Sequence, residues 1–238
     1  MRHAILSDIH SNWEALETAV EYLKKEKVTD YWVLGDTVGY GANPNECFSW
    51  MMQNARLSVA GNHEKAVVDD DVLEWFSSDA HTAAKWTRSN LKKEYHKKIR
   101  ELNYQQIAPF ATVVHASPDH PEEFKYLFSF QDARFAFHAF ETALCFVGHT
   151  HIPTLFSEAH ETAQYLPPGR YELARNEHYI LNPGSIGQPR DRDPRLSFGI
   201  FDDSHWCFDI VRLEYDNQKA AAKIRQAGLP EHLAHRLL

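Results

Sequence analysis

The chain has 238 residues, 43% of them hydrophobic and 24% charged, which suits one globular domain with a buried core. Its formal net charge of −8 argues against a protein that coats nucleic acid or an anionic membrane, since such binding depends on excess lysine and arginine. A small phosphorylated substrate remains compatible with this charge, because bound metal ions add positive charge that the composition does not count.

The sequence shows no targeting or membrane-spanning segment. No apolar stretch approaches the ~18 residues that a membrane helix needs, and the start, MRHAILSDIHSNW, lacks the apolar core of a signal peptide. The three cysteines, Cys47, Cys145 and Cys207, are scattered singly, without a metal-binding or disulfide pattern. We therefore expect a cytoplasmic protein without membrane contact.

The first quarter of the chain alternates short apolar strands with amphipathic helices. Strands are predicted at 3–7, 31–34 and 57–60, and helices from about 13 to 25 and near 45–54. Ser11 or Asn12 would cap the first helix. Such alternation with short connections predicts parallel strands covered by helices.

Between residue 64 and about residue 106 the sequence becomes polar and helical. We interpret this segment as a helical insertion, lying over one edge of the sheet within a single domain of residues 1–238. The insertion is a candidate substrate lid; a helical layer without a functional role is the alternative interpretation.

Strands are predicted again in the second half of the chain, at 111–116, 143–149, 196–202 and 206–215, with short strands within 155–181. Helices are predicted near 131–142 and at 219–228, the second ending at Gly228. The last two long strands alternate as an antiparallel pair. The predicted fold class is therefore α/β, as a two-sheet β-sandwich flanked by helices.

Metal-binding side chains stand where the predicted strands end. They are Asp8, His10, Asp36, Asn62, His63, His115, His149 and His151. Loops at the carboxyl ends of parallel strands meet in one crevice, so residues spread over 140 positions are expected to lie together. Carboxylate, imidazole and amide oxygen suit Mn, Fe, Zn, Co or Ni ions rather than an all-thiolate zinc site or an all-oxygen calcium loop.

Each motif also has an ordinary interpretation. An Asp-x-His pair or a Gly-Asp at a strand end is usually only a polar turn. Gly-His-Thr-His at 148–151 is more informative, because two histidines two positions apart beyond a buried strand have little packing reason to be there. Five such signals, each at a strand end, indicate a metal centre.

The ordered motifs resemble those of the calcineurin-like metallophosphoesterases. The motifs are SDIHSN (7–12), LGD (34–36), GNHE (61–64), VHA (114–116) and GHTH (148–151). The resemblance covers residues 1 to about 215, outside the helical insertion. GDTVGYGANPNEC (35–47) and NPGSIGQPRDRDPR (182–195) are similar to the small bacterial branch of phosphodiesterases and diadenosine-tetraphosphatase-like proteins.

The resemblance implies two divalent transition-metal ions, with Mn the expected metal. It assigns Asp8, His10 and His151 to the first ion, assigns Asn62, His115 and His149 to the second, and makes Asp36 the bridge. A hydroxide shared by the ions would attack phosphorus in line. His63 would donate a proton to the leaving alkoxide.

Two positions depart from the family pattern. Gly39 stands where many members carry an Asp that orients the catalytic histidine, so Glu64 or a backbone carbonyl would have to hold His63. Ala60 stands where protein phosphatases carry an arginine, and their DRG sequence is missing. Both departures argue against a protein phosphatase.

A replacement phosphate site is predicted in NPGSIGQPR. The turn at Ser185 would present backbone N–H groups to an anion, and Arg190 would supply a bidentate guanidinium. The alternative is a turn with surface arginines, such as Arg192 and Arg195, paired to Asp191 and Asp193.

The other ten histidines lack strand-end placement, and most are expected at the surface or in the core. His81 in the insertion is a candidate substrate contact. The aromatic residues Trp13, Tyr40 and Trp75 are candidates for stacking on a base, and ordinary packing explains them equally well.

The leading hypothesis is an enzyme that hydrolyses phosphodiester or phosphoanhydride bonds of a small substrate such as a nucleotide. A phosphomonoesterase with the same centre is the alternative, since pocket shape selects between them. A non-catalytic metal-binding scaffold is disfavoured by the complete ligand set. A metallo-β-lactamase-type hydrolase is disfavoured because its HxHxDH sequence is absent.

Overall fold

The computed structural model describes residues 1–238, and its twelve strands form two six-stranded sheets. In chain order the strands are β1 (Arg2–Leu6), β2 (Asp30–Val33), β3 (Ala55–Ser58), β4 (Gln105–Ile107), β5 (Ala111–Val114), β6 (Leu144–Phe146), β7 (Thr154–Ser157), β8 (Thr162–Tyr165), β9 (Gly169–Glu172), β10 (Tyr179–Asn182), β11 (Leu196–Asp202) and β12 (Cys207–Leu213). The sheet orders are β3-β2-β1-β11-β12-β9 and β4-β5-β6-β10-β7-β8. The predicted two-sheet α/β architecture is confirmed.

Each sheet has a parallel part and an antiparallel part. Strands β1, β2 and β3 run parallel in the first sheet, as do β5, β6 and β10 in the second. The other neighbouring strands are antiparallel, including the long β11–β12 pair. The parallel parts matter for the site, because their strands all end on the same side.

The helices cover the outer faces and one end of the sandwich. They are α1 (Trp13–Lys25), α2 (Pro44–Asn54), α3 (Asn62–Val68), α4 (Asp70–Leu73), α5 (Ser78–Asn90), α6 (Lys93–Glu101), α7 (Phe130–Ala136), α8 (Asn217–Gln226) and α9 (Glu231–His235). Asn12 caps α1, as its Oδ1 accepts a hydrogen bond from Ala15 N at 3.1 Å. No helix combines the length and the apolar character required to cross a bilayer.

The core follows the two-residue period of the strands. Ile5 of β1 points between the sheets, where it shares an apolar cluster with Trp32 of the first sheet and Phe146 of the second. Its neighbours Ala4 and Leu6 point outward and pack in the cluster that α1 covers. Buried residues therefore line both faces of β1, as expected for a strand enclosed between a helix and a second sheet.

The segment predicted as a helical insertion contains α3, α4, α5 and α6 and then continues into β4. Strand β4 was not predicted, because its sequence QQI is short and polar, and it forms by antiparallel pairing with β5. Helix α3 begins at Asn62, one of the predicted metal ligands. The segment is thus continuous with the site rather than a separate layer.

Two other boundaries differ from the sequence prediction. The helix expected near 131–142 ends at Ala136 and continues only as a 3₁₀ turn at Phe137–Ala139. Helix α9 was not predicted, since five residues after a proline carry no clear helical period. It forms because Leu233 and Ala234 are buried in one apolar cluster with α8.

Candidate metal centre

The polar residues that follow the parallel strands converge at one end of the sandwich. They are Asp8 and His10 after β1, Asp36 after β2, Asn62 after β3, His115 after β5, and His149 and His151 after β6. Backbone hydrogen bonds tie these loops together, such as Asp8 N to Gly35 O at 3.2 Å and Gly148 N to His115 O at 2.8 Å. The structure therefore brings all seven predicted ligands into one cluster, in which only Asn62 is partly exposed.

The first group of three ligands is Asp8, His10 and His151. The two histidine Nε2 atoms lie 3.1 Å apart. Asp8 Oδ1 lies 3.2 Å from His151 Nε2 and 3.8 Å from His10 Nε2. Donor atoms about 2.1 Å from one cation stand about 3.0–3.4 Å apart in tetrahedral or octahedral coordination. The spacing of this group fits one ion.

The second group consists of Asn62, His115 and His149. His115 Nε2 lies 3.2 Å from Asn62 Oδ1 and 3.1 Å from His149 Nδ1. Asp36 lies between the two groups, with Oδ2 at 3.3 Å from His115 Nε2 and 3.7 Å from His10 Nε2. Its carboxylate is placed where a bridge between two ions would stand.

The tautomers of the histidines also suit cations. A backbone carbonyl accepts the Nδ1 proton of three rings, in the pairs His10 with Val38 at 3.2 Å, His115 with Leu34 at 2.7 Å and His151 with Gln188 at 2.5 Å. In the neutral rings the Nε2 lone pairs therefore face other acceptors. Asp8 Oδ1 is likewise buried without a hydrogen-bond donor. Facing acceptors of this kind need a shared cation, so the residues present fit a divalent metal.

The loops that carry the ligands adopt unusual backbone conformations. Five ligands have positive φ angles: Asp8 at 53°, His10 at 48°, Asp36 at 51°, His149 at 66° and His151 at 62°. Side chains other than glycine adopt this left-handed region at a cost, and such strain concentrates at functional sites. Gly61 is required by close approach, since a Cβ there would lie 2.0 Å from an oxygen of the bridging carboxylate.

Glu64 holds the loop that carries Asp36. Its fully buried carboxylate accepts hydrogen bonds from four backbone N–H groups, those of Asp36 and Thr37 at 2.7 Å, Gly61 at 2.9 Å and Val38 at 3.1 Å. The sequence-based suggestion that Glu64 orients the His63 ring is wrong, because all the hydrogen bonds of the Glu64 carboxylate are made with backbone N–H groups. Glu64 instead positions the loop of Asp36, the predicted bridging ligand.

Burial and charge set the protonation of the ligands. Burial opposes ionisation of Asp8 and Asp36, but attraction from His151 and His115 respectively keeps the pKa of each carboxyl well below its usual range. Burial lowers the pKa of His149 to about 3. Anionic carboxylates and neutral imidazoles are the forms that metal coordination requires. For His115, burial acts to lower the pKa, but attraction to Asp36 and Asp8 and the hydrogen bonds to Asp36 and Leu34 together raise it to about 9 in the metal-free protein.

His63 belongs to neither of these two groups of three, although a nitrogen of its ring lies within 4.8 Å of ligand atoms of both His10 and Asp36. Its backbone N–H donates to Asp36 Oδ1 at 2.9 Å. The ring packs between Tyr40 and Phe76, with centroid distances of 4.3 Å and 4.7 Å. His63 Nδ1 is buried and has no hydrogen-bond partner, so neither Glu64 nor a backbone carbonyl orients the ring. Packing holds His63 in place, and burial is the main cause that lowers its pKa to about 4.

Arg190 lies next to the first group of ligands. Its Nη2 is 3.2 Å from Gln188 Oε1 and 3.4 Å from the Tyr40 hydroxyl, and its guanidinium carbon is 5.9 Å from the Tyr40 ring centroid. No carboxylate pairs with it, and Nε is buried without a partner. Its positive charge contributes to the lowered pKa of His10 and His63. Arg190 is thus an unpaired cation close to the predicted metals.

Ser185 has a structural role that the sequence did not reveal. It is fully buried, its hydroxyl donates to Asp8 O at 2.9 Å, and it accepts from Gln188 N at 2.8 Å. The N–H groups of Ile186 and Gly187 donate to the β1 loop at 3.1 Å and 2.9 Å. The N–H groups of Ile186 and Gly187 are therefore not free for a phosphate, although the prediction for this turn required free N–H groups. The turn fastens the loop that carries Asp8.

Of the two other arginines of this loop, Arg195 is paired and Arg192 is exposed. Arg195 binds Asp193, with Nη2 to Oδ2 at 2.7 Å, as the alternative interpretation expected. Asp191 instead makes a buried ion pair with Arg212, which the sequence did not predict. Arg192 is exposed at the surface. Of the arginines in this loop, only Arg190 stands free beside the metal centre.

A cavity of about 540 Å³ opens onto the second group of ligands and His63. Its lining residues are Tyr40, Asn62, His63, Trp75, Phe76, Ser77, Ala80, Glu123, Phe124, Lys125, Tyr126 and His149. The sequence analysis missed the stretch 123–126, although the aromatic run FKYLFSF (124–130), separated from the VHA motif by seven residues, was a usable signal. Tyr40 and Trp75, two of the predicted candidates for stacking on a base, line this cavity. It excludes His81 and Trp13, and Trp13 packs against the core that α1 covers.

A two-sheet sandwich with carboxylate, imidazole and amide ligands gathered at its strand ends defines a metallophosphoesterase. The chain belongs to the calcineurin-like phosphoesterase superfamily, whose domain profile matches residues 1–205. The family and its phosphoesterase relatives make this chain a metal-dependent phosphoric ester hydrolase.

The similarity to individual relatives extends over the whole chain. A metallophosphoesterase of known structure from Sphaerobacter thermophilus is 38% identical, with a TM-score of 0.90 over 100% of this chain and 98% of that one. An uncharacterised protein of Methanocaldococcus jannaschii is 40% identical over 98% of this chain and 96% of its own length. A hypothetical protein of Pyrococcus horikoshii shares the fold, with a TM-score of 0.79, 19% identity and coverage of 99% and 97%.

Proposed function

We propose that this protein hydrolyses phosphodiester or phosphoanhydride bonds of small molecules, nucleotides in particular, with a dinuclear metal centre. The observation that carries the proposal is the pair of three-ligand groups with one carboxylate, Asp36, between them. Two divalent cations held by these residues would supply a water of lowered pKa as nucleophile and would neutralise charge on the phosphoryl oxygens.

The ligand set supports two ions of the same general type. Asp8, His10 and His151 would hold one, Asn62, His115 and His149 the other, and Asp36 both. Mixed nitrogen and oxygen donors accept Mn²⁺, Fe, Zn²⁺, Co²⁺ or Ni²⁺, and Mn²⁺ is the metal we propose. The carbonyl bonds to Nδ1 of His10, His115 and His151 orient these rings before any ion arrives.

His63 is proposed to donate a proton to the leaving oxygen. Its ring lines the cavity beside the second ligand group, and its backbone bond to Asp36 fixes the start of α3 relative to the bridge. Because no side chain or carbonyl binds Nδ1, the position of the ring depends on packing against Tyr40 and Phe76. A donor placed in this way would act on esters whose leaving group needs a proton.

Arg190 is proposed to bind a phosphoryl oxygen of the substrate. An unpaired guanidinium with a buried Nε, near His10 and His63, is suited to an anion that arrives at the first ligand group. The cavity volume of about 540 Å³ lies within the range of small-molecule sites. Together with the net charge of −8, it favours a small substrate over a nucleic acid.

The cytoplasm is the proposed compartment. All three cysteines are buried and unpaired, as in proteins of reducing compartments.

The test is hydrolysis by the metal-depleted protein after addition of Mn²⁺, with bis(p-nitrophenyl) phosphate as diester and p-nitrophenyl phosphate as monoester. We expect two metal ions per chain by elemental analysis, and a higher kcat/KM for the diester. An Asp36→Asn variant purified in parallel controls for contaminating phosphatases. A monoester preference would support the phosphomonoesterase instead, and two bound ions without hydrolysis of either ester would support the scaffold.

A further inference from the structure

The cavity at the metal centre has one polar end and one aromatic end. The polar end consists of His63, Asn62 and His149, whereas Trp75, Phe76 and Tyr126 line the rest. We propose that Trp75 and Tyr126 form a slot for the nucleobase of the substrate, and so determine specificity for nucleotides. This inference rests on the proposed function for the placement of the phosphate and goes beyond it in naming the group that the protein recognises.

Trp75 is an exposed aromatic residue in an unusual place. It lies between α4 and α5, and 62% of its surface is accessible although it lines the cavity. Its neighbour Phe76 packs on His63 with a centroid distance of 4.7 Å. The segment that carries Trp75 is therefore fixed to the catalytic side of the cavity, and its indole has apolar surface free for a ligand.

Tyr126 comes from a different part of the chain and brings a second, partly exposed aromatic ring to the cavity. Its ring stacks on His149 with a centroid distance of 4.0 Å and an interplanar angle of 25°. Phe128 stacks on Tyr126 at 5.1 Å and 9°. Tyr126 is 46% exposed and Phe128 is 59% exposed. Two exposed aromatic side chains, Trp75 and Tyr126, thus line this one cavity.

The one cation at the aromatic end of the cavity, Lys125, is already paired with two carboxylates. Lys125 Nζ lies 2.9 Å from Glu123 Oε2 and 3.6 Å from Asp119 Oδ2. No free cation remains there to bind a second phosphate. A fitting ligand therefore has its anionic group at the metal end and a flat, uncharged ring at the other.

A nucleoside phosphate has this distribution of charge. Every base offers a π-face, and stacking on aromatic side chains is tolerant of base identity. Glu123, Lys125 and Ser77 supply hydrogen-bonding groups around the slot. A sugar phosphate without a base would leave both aromatic surfaces uncovered, so it is expected to bind more weakly.

The experiment compares two competitive inhibitors that differ only in the base, AMP and ribose 5-phosphate. Their inhibition constants are measured on the full-length Mn²⁺-loaded protein with bis(p-nitrophenyl) phosphate as substrate. We expect AMP to bind about 5- to 100-fold more tightly than ribose 5-phosphate. Equal inhibition constants would overturn the proposal.

The variants locate the difference in the slot. Trp75→Ala is expected to raise the inhibition constant of AMP roughly 5- to 100-fold and leave that of ribose 5-phosphate unchanged, whereas Trp75→Phe retains most of the AMP affinity. Phe135→Ala is the matched control, because Phe135 is also 62% exposed but lies on α7, outside the cavity. A Trp75→Ala variant that loses both inhibitors equally would contradict a role in base binding.

Tyr126→Ala is tested together with metal analysis, because Tyr126 touches a ligand of the second group. If the variant still binds two ions but no longer prefers AMP over ribose 5-phosphate, Tyr126 is part of the base slot. An unchanged preference for AMP would overturn the role of Tyr126. Calorimetric titration of AMP and ribose 5-phosphate into the Mn²⁺-loaded protein keeps the two proposals separate. If AMP binds more tightly than ribose 5-phosphate but no ester is hydrolysed, the proposed function is refuted and the proposed base slot is supported. If esters are hydrolysed but the two ligands bind equally, the base slot is refuted and the proposed function is supported.

Discussion

The imidazole of His63 occupies the space that a side chain at Gly39 would fill. A Cβ on Gly39 would lie 2.2 Å from His63 Nδ1, and Gly39 has a φ of 91°, which favours glycine. Where relatives are expected to place an aspartate that holds the histidine, this chain places the histidine ring against bare backbone.

Gly39→Ala is therefore expected to displace His63 and leave both metal sites filled. Turnover of a diester with a poor alkyl leaving group should fall about 10²- to 10⁴-fold, the range for loss of a general acid, with a smaller loss on p-nitrophenyl esters. The measurement is kcat on both substrates with elemental analysis of bound metal. Gly228→Ala is the control, because Gly228 has a φ of 68° but open space around it.

A double-variant comparison sharpens this prediction. If Gly39→Ala acts by moving His63, adding it to His63→Ala should cause no further loss of turnover. Additive losses would show that Gly39 acts on the metal loop directly.

Glu64→Gln should destabilise the loop that carries the bridging ligand. Each carboxylate oxygen of Glu64 accepts two backbone N–H groups, so an amide nitrogen in either place leaves two buried donors without an acceptor. Each lost acceptor costs about 1–3 kcal/mol. We expect lower thermal stability and weaker binding of the second ion; Glu17→Gln, on the exposed face of α1, should change neither. If Glu64→Gln has the thermal stability of the unaltered protein, the Asp36 loop does not depend on the hydrogen bonds from Glu64.

Metal binding should release a proton from His115. Against the effect of burial, Asp36, Asp8 and the hydrogen bonds of the ring together raise the pKa of His115 to about 9, so the metal-free protein carries this proton at pH 7. Because the folded pKa lies above the unfolded value of about 6.5, the ion pair stabilises the metal-free protein fully below pH 6.5, and this contribution is lost as the pH rises through 9.

Mn²⁺ must displace this proton to bind at the second group of ligands. We expect its apparent affinity there to weaken about tenfold for each pH unit below 9, with close to one proton released per ion at pH 7. Calorimetry in buffers of different ionisation enthalpy measures the release. An affinity that stays constant between pH 7 and 8.5 would contradict the prediction.

Arg190→Ala should weaken binding of the phosphoryl group of the substrate and leave the metal content unchanged. Loss of a charge-assisted hydrogen bond to the substrate is expected to lower kcat/KM about 10- to 100-fold. Arg190→Lys should recover only part of this loss, because lysine lacks the planar fork. Arg192→Ala, two residues away and exposed, should behave as the unaltered protein. If Arg190→Ala and Arg192→Ala change kcat/KM equally, Arg190 does not bind the phosphoryl group.

The sequence by itself identified the seven residues of the cluster and the two-sheet fold. Both follow from local patterns, since apolar runs of strand length mark where strands end, and parallel strands end on the same side. Asp8, Asp36 and His115 could be read in this way because each directly follows such a run.

Only the tertiary structure decided what holds these residues and what surrounds them. Glu64 reaches back 26 to 28 residues to bind the Asp36 loop, and Ser185 binds Asp8 across 177 residues. Trp75 and Tyr126 meet at one cavity although nothing in their local sequence relates them. A local pattern shows which side of an element is buried, but a hydrogen bond or a cavity wall depends on which distant segment arrives there. The predicted metal ligands could therefore be identified from the sequence. The hydrogen bonds that hold the Asp36 loop and the shape of the cavity could not.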